Sequence, residues 1–176
     1  MKLTSIVAAF AVAVITLQAR AADDVDMAQV FRELRPTTTS VRVVISDAQT
    51  YYVATLTEQQ MNKYGCTYAV TDSQDVQVLF DLLERGQIES APPFYKFGPE
   101  PRIGIYLQGH DGSKHKLLFT GFRLKPKPEY GTYDGTVSVL AKNPDFATEL
   151  RTWALTREPQ RGTHCAPEKF HQRSAP

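Results

Sequence analysis

The sequence is short of the residues and patterns on which most chemistry is built. It has two cysteines in 176 residues and no Cys-x-x-Cys pair, so neither a zinc site of the usual spacing nor a dithiol redox centre can be read from it. No Gly-x-Ser-x-Gly segment marks a serine nucleophile, and no glycine-rich loop is spaced to cradle a phosphate. The acids are scattered: Asp47, Glu58, Asp72 and Asp134 stand far apart, and no spacing selects two of them for hydrolysis. A surplus of one charge is missing too. The formal net charge of +1 leaves no basic excess for non-specific nucleic-acid binding or for a polybasic membrane surface. There are no internal repeats, and beyond the first 17 residues no apolar run reaches the ~20 residues a membrane-spanning helix needs. These absences give no cofactor to expect and point away from an enzyme with a recognisable motif.

What is present begins with a targeting signal. Lys2 is followed by the nearly all-apolar stretch Leu3 to Leu17, and Ala19-Arg20-Ala21 offers small residues where a signal peptidase reads. Residues 1–21 therefore read as a secretory signal peptide cut after Ala21, too short to serve as an anchor, and the chain is expected in the periplasm or secreted. Loss of this segment removes Lys2 and Arg20 and no acid, leaving 18 bases against 19 acids. Residues 22–170 read as a single domain and 171–176 as a mobile tail. In an exported chain the pair Cys66 and Cys165 most simply forms one disulfide. Closing a loop of ~100 residues is worth about 4–5 kcal/mol on the chain-entropy model.

The most regular stretch is 65–86. Thr67 to Thr71 is β-branched and aromatic, as a strand prefers. Val76, Leu79, Phe80 and Leu83 then fall at i, i+3, i+4 and i+7 and define the core face of a helix. Asp72 or Ser73 caps its start, and Gly86 suits a left-handed position past its end. Other helices are expected over Asp24 to Leu34, after the Thr57/Gln60 capping box, and after Asn143-Pro144-Asp145, where Phe146, Leu150 and Trp153 share a face. Ser40 to Ser46 and Tyr51 to Thr57 read as one hairpin, and Thr136 to Leu140 as a further strand. The strongest hairpin signal is Arg102 to Phe122 around Asp111-Gly112, a dipeptide favoured in two-residue type I′ turns. That turn pairs Gln108 with His115 and places Tyr106 with Leu117 and Phe119. Both faces of this hairpin are apolar in the middle, so its strands are expected to be central in the sheet or covered by helices.

Two segments stand apart. Residues 87–101 hold four prolines around Phe94, Tyr95 and Phe97, and residues 124–135 read as a second irregular region. In the second, Arg123, Lys125 and Lys127 form a basic ribbon that leads to Tyr130 and Tyr133. Rings and charges held by proline bind at low entropic cost, so these eight residues are the candidate protein-contact surface. His110 and His115, near the hairpin tip, are a weak candidate metal pair, half a ligand set at most.

The expected fold is α+β: an antiparallel sheet of about five or six strands, helices mainly on one face, and one disulfide. The expected function is surface contact with a protein partner. The format fits an inhibitor or immunity-type protein of a bacterial periplasm. The alternatives are a periplasmic hydrolase without a recognisable motif and a small-ligand carrier that uses the space between sheet and helices.

Overall fold

The computed structural model describes residues 25–46, 56–93, 100–120 and 127–157. The signal segment, both domain boundaries, Phe94, Tyr95, Phe97, Arg123, Lys125 and Cys165 lie outside them. Among the described residues no helix is long and apolar enough to cross a membrane.

The described residues build an α+β domain with seven antiparallel strands and four helices. Helix α1, Met27–Leu34, starts at Asp26, whose carboxylate accepts the amides of Ala28 and Gln29. Strand β1, Thr38–Ile45, follows. Helix α2, Glu58–Tyr64, opens on the capping box expected of Thr57 and Gln60. Strand β2, Cys66–Val70, leads into α3, Ser73–Arg85, capped by Asp72. Strand β3 is the short Ile88–Ser90. Four strands then run as a meander: β4, Ile103–Gly109; β5, Lys114–Phe119; β6, Glu129–Tyr133; and β7, Val137–Ala141. Helix α4, Phe146–Leu155, completes the described chain.

Strand order is β2-β1-β4-β5-β6-β7-β3. The chain therefore passes through α3 from one edge of the sheet to the other. Six strand spacings are ~29 Å, more than the ~20 Å that thirteen helical residues supply, so the flanking turns share the crossing. Val76, Leu79, Phe80 and Leu83 are buried under it, with Met27 and Phe31 of α1 and Phe146, Leu150 and Trp153 of α4. Three helices thus cover one face of the sheet. The short α2 lies on the other, where Met61 packs with Val44, Leu56, Leu118 and Tyr106.

Several expectations need correction. Among the described residues the sheet already has seven strands, more than the five or six expected. β1 pairs with β2 on one side and β4 on the other; residues 51–55 of its expected hairpin partner lie outside the described residues, and Leu56 and Thr57 are not in a strand. The segment 124–135, expected to be irregular, contains β6. Its glycine hid it: Gly131 sits opposite Phe119, and a Cβ there would stand 2.2 Å from the Leu118 carbonyl oxygen. Gly86 is right-handed, and Gln87 takes the left-handed position at φ 49°. Gly86 is needed for space instead, since a Cβ would lie 2.7 Å from the Phe146 ring.

The tip of the β4–β5 hairpin also differs. The Gly109 amide donates to the Ser113 carbonyl across His110, Asp111 and Gly112, and only Gly112 has positive φ, at 83°. This is a three-residue loop with a terminal left-handed glycine, not a type I′ turn. Leu107 therefore faces His115, and Tyr106 faces Lys116. A one-residue slip exchanges the faces of one strand relative to the other. Leu117 and Phe119 join Ile103, Ile105 and Leu107 under the three helices, and Tyr106 goes to the α2 side with Leu118. The expectation that both faces of this hairpin are covered, with its strands central in the sheet, holds.

Candidate binding site

The α2 side of the sheet carries a connected polar cluster of five side chains. Register fixes its first row: Arg42 of β1 opposes Tyr106 of β4, which opposes Lys116 of β5. Side chains on adjacent strands in one row stand close enough to touch. The Arg42 guanidinium lies over the Tyr106 ring, 4.0 Å from its centre. Helix α2 supplies the second layer. Its capping box sets the helix start, which directs Glu58 and Asn62, one turn apart, down onto the sheet.

Hydrogen bonds run through the cluster and converge on the Glu58 carboxylate. Arg42 Nη1 donates to Asn62 Oδ1 at 2.7 Å. Asn62 Nδ2 donates to the Tyr106 hydroxyl at 2.7 Å and to the Glu58 carbonyl at 3.0 Å. The Tyr106 hydroxyl donates to Glu58 Oε1 at 3.2 Å, and Lys116 Nζ donates to Glu58 Oε2 at 2.7 Å. Burial, with the Glu58 charge beside it, pushes the Tyr106 phenol up to about 12 against the opposing pull of Asn62 and Arg42. Tyr106 thus stays a neutral donor at physiological pH, and the Glu58 charge is shared between it and Lys116.

Beside this cluster lies an open cleft of about 810 Å³, lined by residues of β1, β2, β4, β5 and the start of α2. On the opposite, main-core face of β5, the side it shares with Leu117, His115 Nδ1 lies 2.9 Å from both Asp134 Oδ2 and the Tyr133 hydroxyl. The His115 and Tyr133 rings are stacked, with centres 5.8 Å apart. Asp134, at φ 48°, also accepts the Lys116 amide through Oδ1 at 2.8 Å. Burial and the Asp134 charge push the Tyr133 phenol up to about 12.

Of the sequence-derived contact candidates, Lys127, Tyr130 and Tyr133 are among the described residues. Tyr130 and Tyr133 lie three apart in β6, so their side chains take opposite faces. Tyr130 is 40 % exposed on the α2 side, whereas Tyr133 packs against the main core. Lys127 is exposed. His110 sits in the turn with Nδ1 3.3 Å from the Thr37 carbonyl oxygen, while His115 is held by Asp134 and Tyr133. Among the described residues no group of three or more His, Cys, Asp and Glu could hold a metal ion. Cys66 is buried in the edge strand β2, and no described cysteine is free.

The residues missed from sequence are Arg42, Asn62, Tyr106 and Lys116. A local signal existed for Arg42 and Lys116 alone. Arg42 interrupts the valines of SVRVVIS, and Lys114 and Lys116 alternate with His115. With the three-residue turn in place, both patterns fall on one sheet face. No protein-family model, no curated protein and no solved structure matches this chain.

Proposed function

We propose that the protein is a small exported binding module of the inhibitor or immunity type, which acts by surface contact with another protein through the α2 side of its sheet. The observation that carries this is the open cleft with its pre-fixed polar walls. Arg42, Tyr106, Glu58 and Lys116 hold each other in place, so a partner would order little on binding. Exposed Tyr130 lies on the same face, a residue type enriched at protein interfaces. A small-ligand carrier would want an enclosed, mainly apolar chamber, and this cleft is open and lined with charges. Export rests on the apolar stretch Leu3 to Leu17 and the small residues before Ala22.

The test is capture of a partner from an envelope extract by the purified protein. The reading expects one stoichiometric partner, retained by the wild type and lost by Tyr130→Ala at unchanged circular dichroism. Equal capture by both, or none by either, counts against it.

A disulfide between Cys66 and Cys165 is part of the same proposal. Its support is that Cys66 is not a free thiol and that the chain has one other cysteine. Thiol labelling of the denatured, unreduced protein is expected to find no reactive cysteine; two labelled thiols would refute the pairing.

A periplasmic hydrolase is the second reading. The observation in its favour is the hydrogen-bonded group of His115, Asp134 and Tyr133. Turnover of a chromogenic ester panel, abolished by His115→Ala, would replace the first reading with this one.

A further inference from the structure

We propose that Arg42 and Lys114 form a receptor for carboxylates, and that the group it takes is an acidic side chain in an exposed segment of the partner protein. This inference rests on the binding reading above and names the chemistry of its contact.

Arg42 carries the argument. It is half-buried, and its guanidinium is fixed from two sides by the Tyr106 ring and the Asn62 amide. Both of these partners are uncharged. A guanidinium has five N–H donors in a planar fork, and Arg42 spends one of them on Asn62. No described carboxylate pairs with it. The nearest acid of the network, Glu58, is occupied by Lys116 and Tyr106. A positive charge partly removed from water, oriented and left with a neutral partner is a receptor awaiting an anion.

The rest of the cleft sets the kind of anion. Its lining holds three cations, Arg42, Lys114 and Lys116, against two acids, Glu58 and Asp134. Lys116 is paired with Glu58, and Asp134 is engaged by His115 and the Lys116 amide. One cation is in excess, which suits a singly charged carboxylate and disfavours a phosphate dianion beside the two carboxylates already present. Lys114 is exposed one row along from Lys116, opposite Gln108, and two strand spacings (~10 Å) from β1. Lys114 and Arg42 thus line the cleft from the strands on either side of β4, with Gln108 between them. The cleft is open to solvent, which favours a carboxylate presented by a larger partner over a free small acid, since small-ligand sites enclose most of the ligand.

The experiment is a titration of the isotope-labelled full chain, followed by nuclear magnetic resonance, with an acetylated and amidated Gly-Glu-Gly-Glu-Gly peptide. Saturable shifts are expected at the Arg42 side chain and the Lys114 amide, with none from the Gln counterpart of the peptide. Arg42→Gln is expected to weaken binding by at least about tenfold, the size of one lost charged hydrogen bond. Arg42→Lys, which keeps the charge without the fork, is expected to fall between. Lys114→Gln changes an exposed residue with no described partner, so it carries the test even where an Arg42 variant fails to fold; a several-fold loss is expected. Absence of shifts, or equal affinity in Lys114→Gln and wild type, overturns the inference. So does tighter binding of inorganic phosphate than of the peptide. Acetate that binds as tightly as the peptide removes the protein segment as the ligand. Capture of a partner together with a failed peptide titration refutes this inference alone. A peptide that binds with no partner captured refutes the wider reading instead.

Discussion

Arg42 and Tyr106 are register partners on adjacent strands, and the guanidinium of one lies 4.0 Å from the ring centre of the other. The contact joins backbone register to side-chain chemistry. A slip of β1 against β4 by one residue would turn Arg42 into the core beneath α1, α3 and α4, where a charge is not tolerated. The cluster on the α2 side therefore also locks the sheet register, and substitutions in it have structural consequences.

The Tyr106 hydroxyl accepts from Asn62 and donates to Glu58. Tyr106→Phe leaves both half-buried groups short of a partner. A loss of about 1–3 kcal/mol is expected, seen as a lower urea midpoint at unchanged slope. An unchanged midpoint would mean that solvent already satisfies Asn62 and Glu58.

Alkaline pH should weaken the fold through its tyrosines. Tyr106 and Tyr133 are each held up to about 12 in the folded protein, and Tyr68 is also raised by burial. Above pH ~10 the unfolded chain gives up these protons while the folded chain keeps them. The folded state then binds more protons, so stability falls as pH rises. The expected decline begins near 10, continues to about 12, and is absent below 10. Replacing Tyr106 and Tyr133 with Phe should flatten that slope in a denaturant series between pH 9 and 12. An undiminished slope would show that other groups cause it.

Gly131 is predicted to tolerate no side chain. A Cβ would meet the Leu118 carbonyl oxygen at 2.2 Å and Phe119 Cδ1 at 2.7 Å. Because the closer atom is backbone in the neighbouring strand, the sheet itself would have to shift. Gly131→Ala is expected to cost about 1–3 kcal/mol by overpacking, read as a lower midpoint of thermal unfolding. A neutral outcome would show that β5 and β6 can separate locally.

The helices were legible because their signals are local. The stripe Val76, Leu79, Phe80 and Leu83, the Thr57/Gln60 capping box and the stripe Phe146, Leu150 and Trp153 each lie within a few turns of chain, and each holds in the structure. The sheet was less legible, because pairing depends on distant choices. β6 carries a glycine that suits a loop until Phe119 is placed beside it. β3 has only three residues, too few for a pattern. The turn at Asp111-Gly112 has two solutions one residue apart, and only the buried faces choose between them. The candidate site suffered most. Arg42, Glu58, Asn62 and Tyr106 come from three elements, and the bond between Tyr106 and Glu58 spans 48 positions. No spacing rule in the linear sequence could gather them.

Hydrogen–deuterium exchange on the protein with its captured partner tests the binding face most directly. Slowed exchange is predicted in β1 around Arg42, in β4 around Tyr106 and in β5 around Lys114, with α1 and α4 unchanged. Protection confined to α1 and α4, with β1, β4 and β5 exchanging as in the free protein, would contradict the placement of the interface on the α2 side of the sheet.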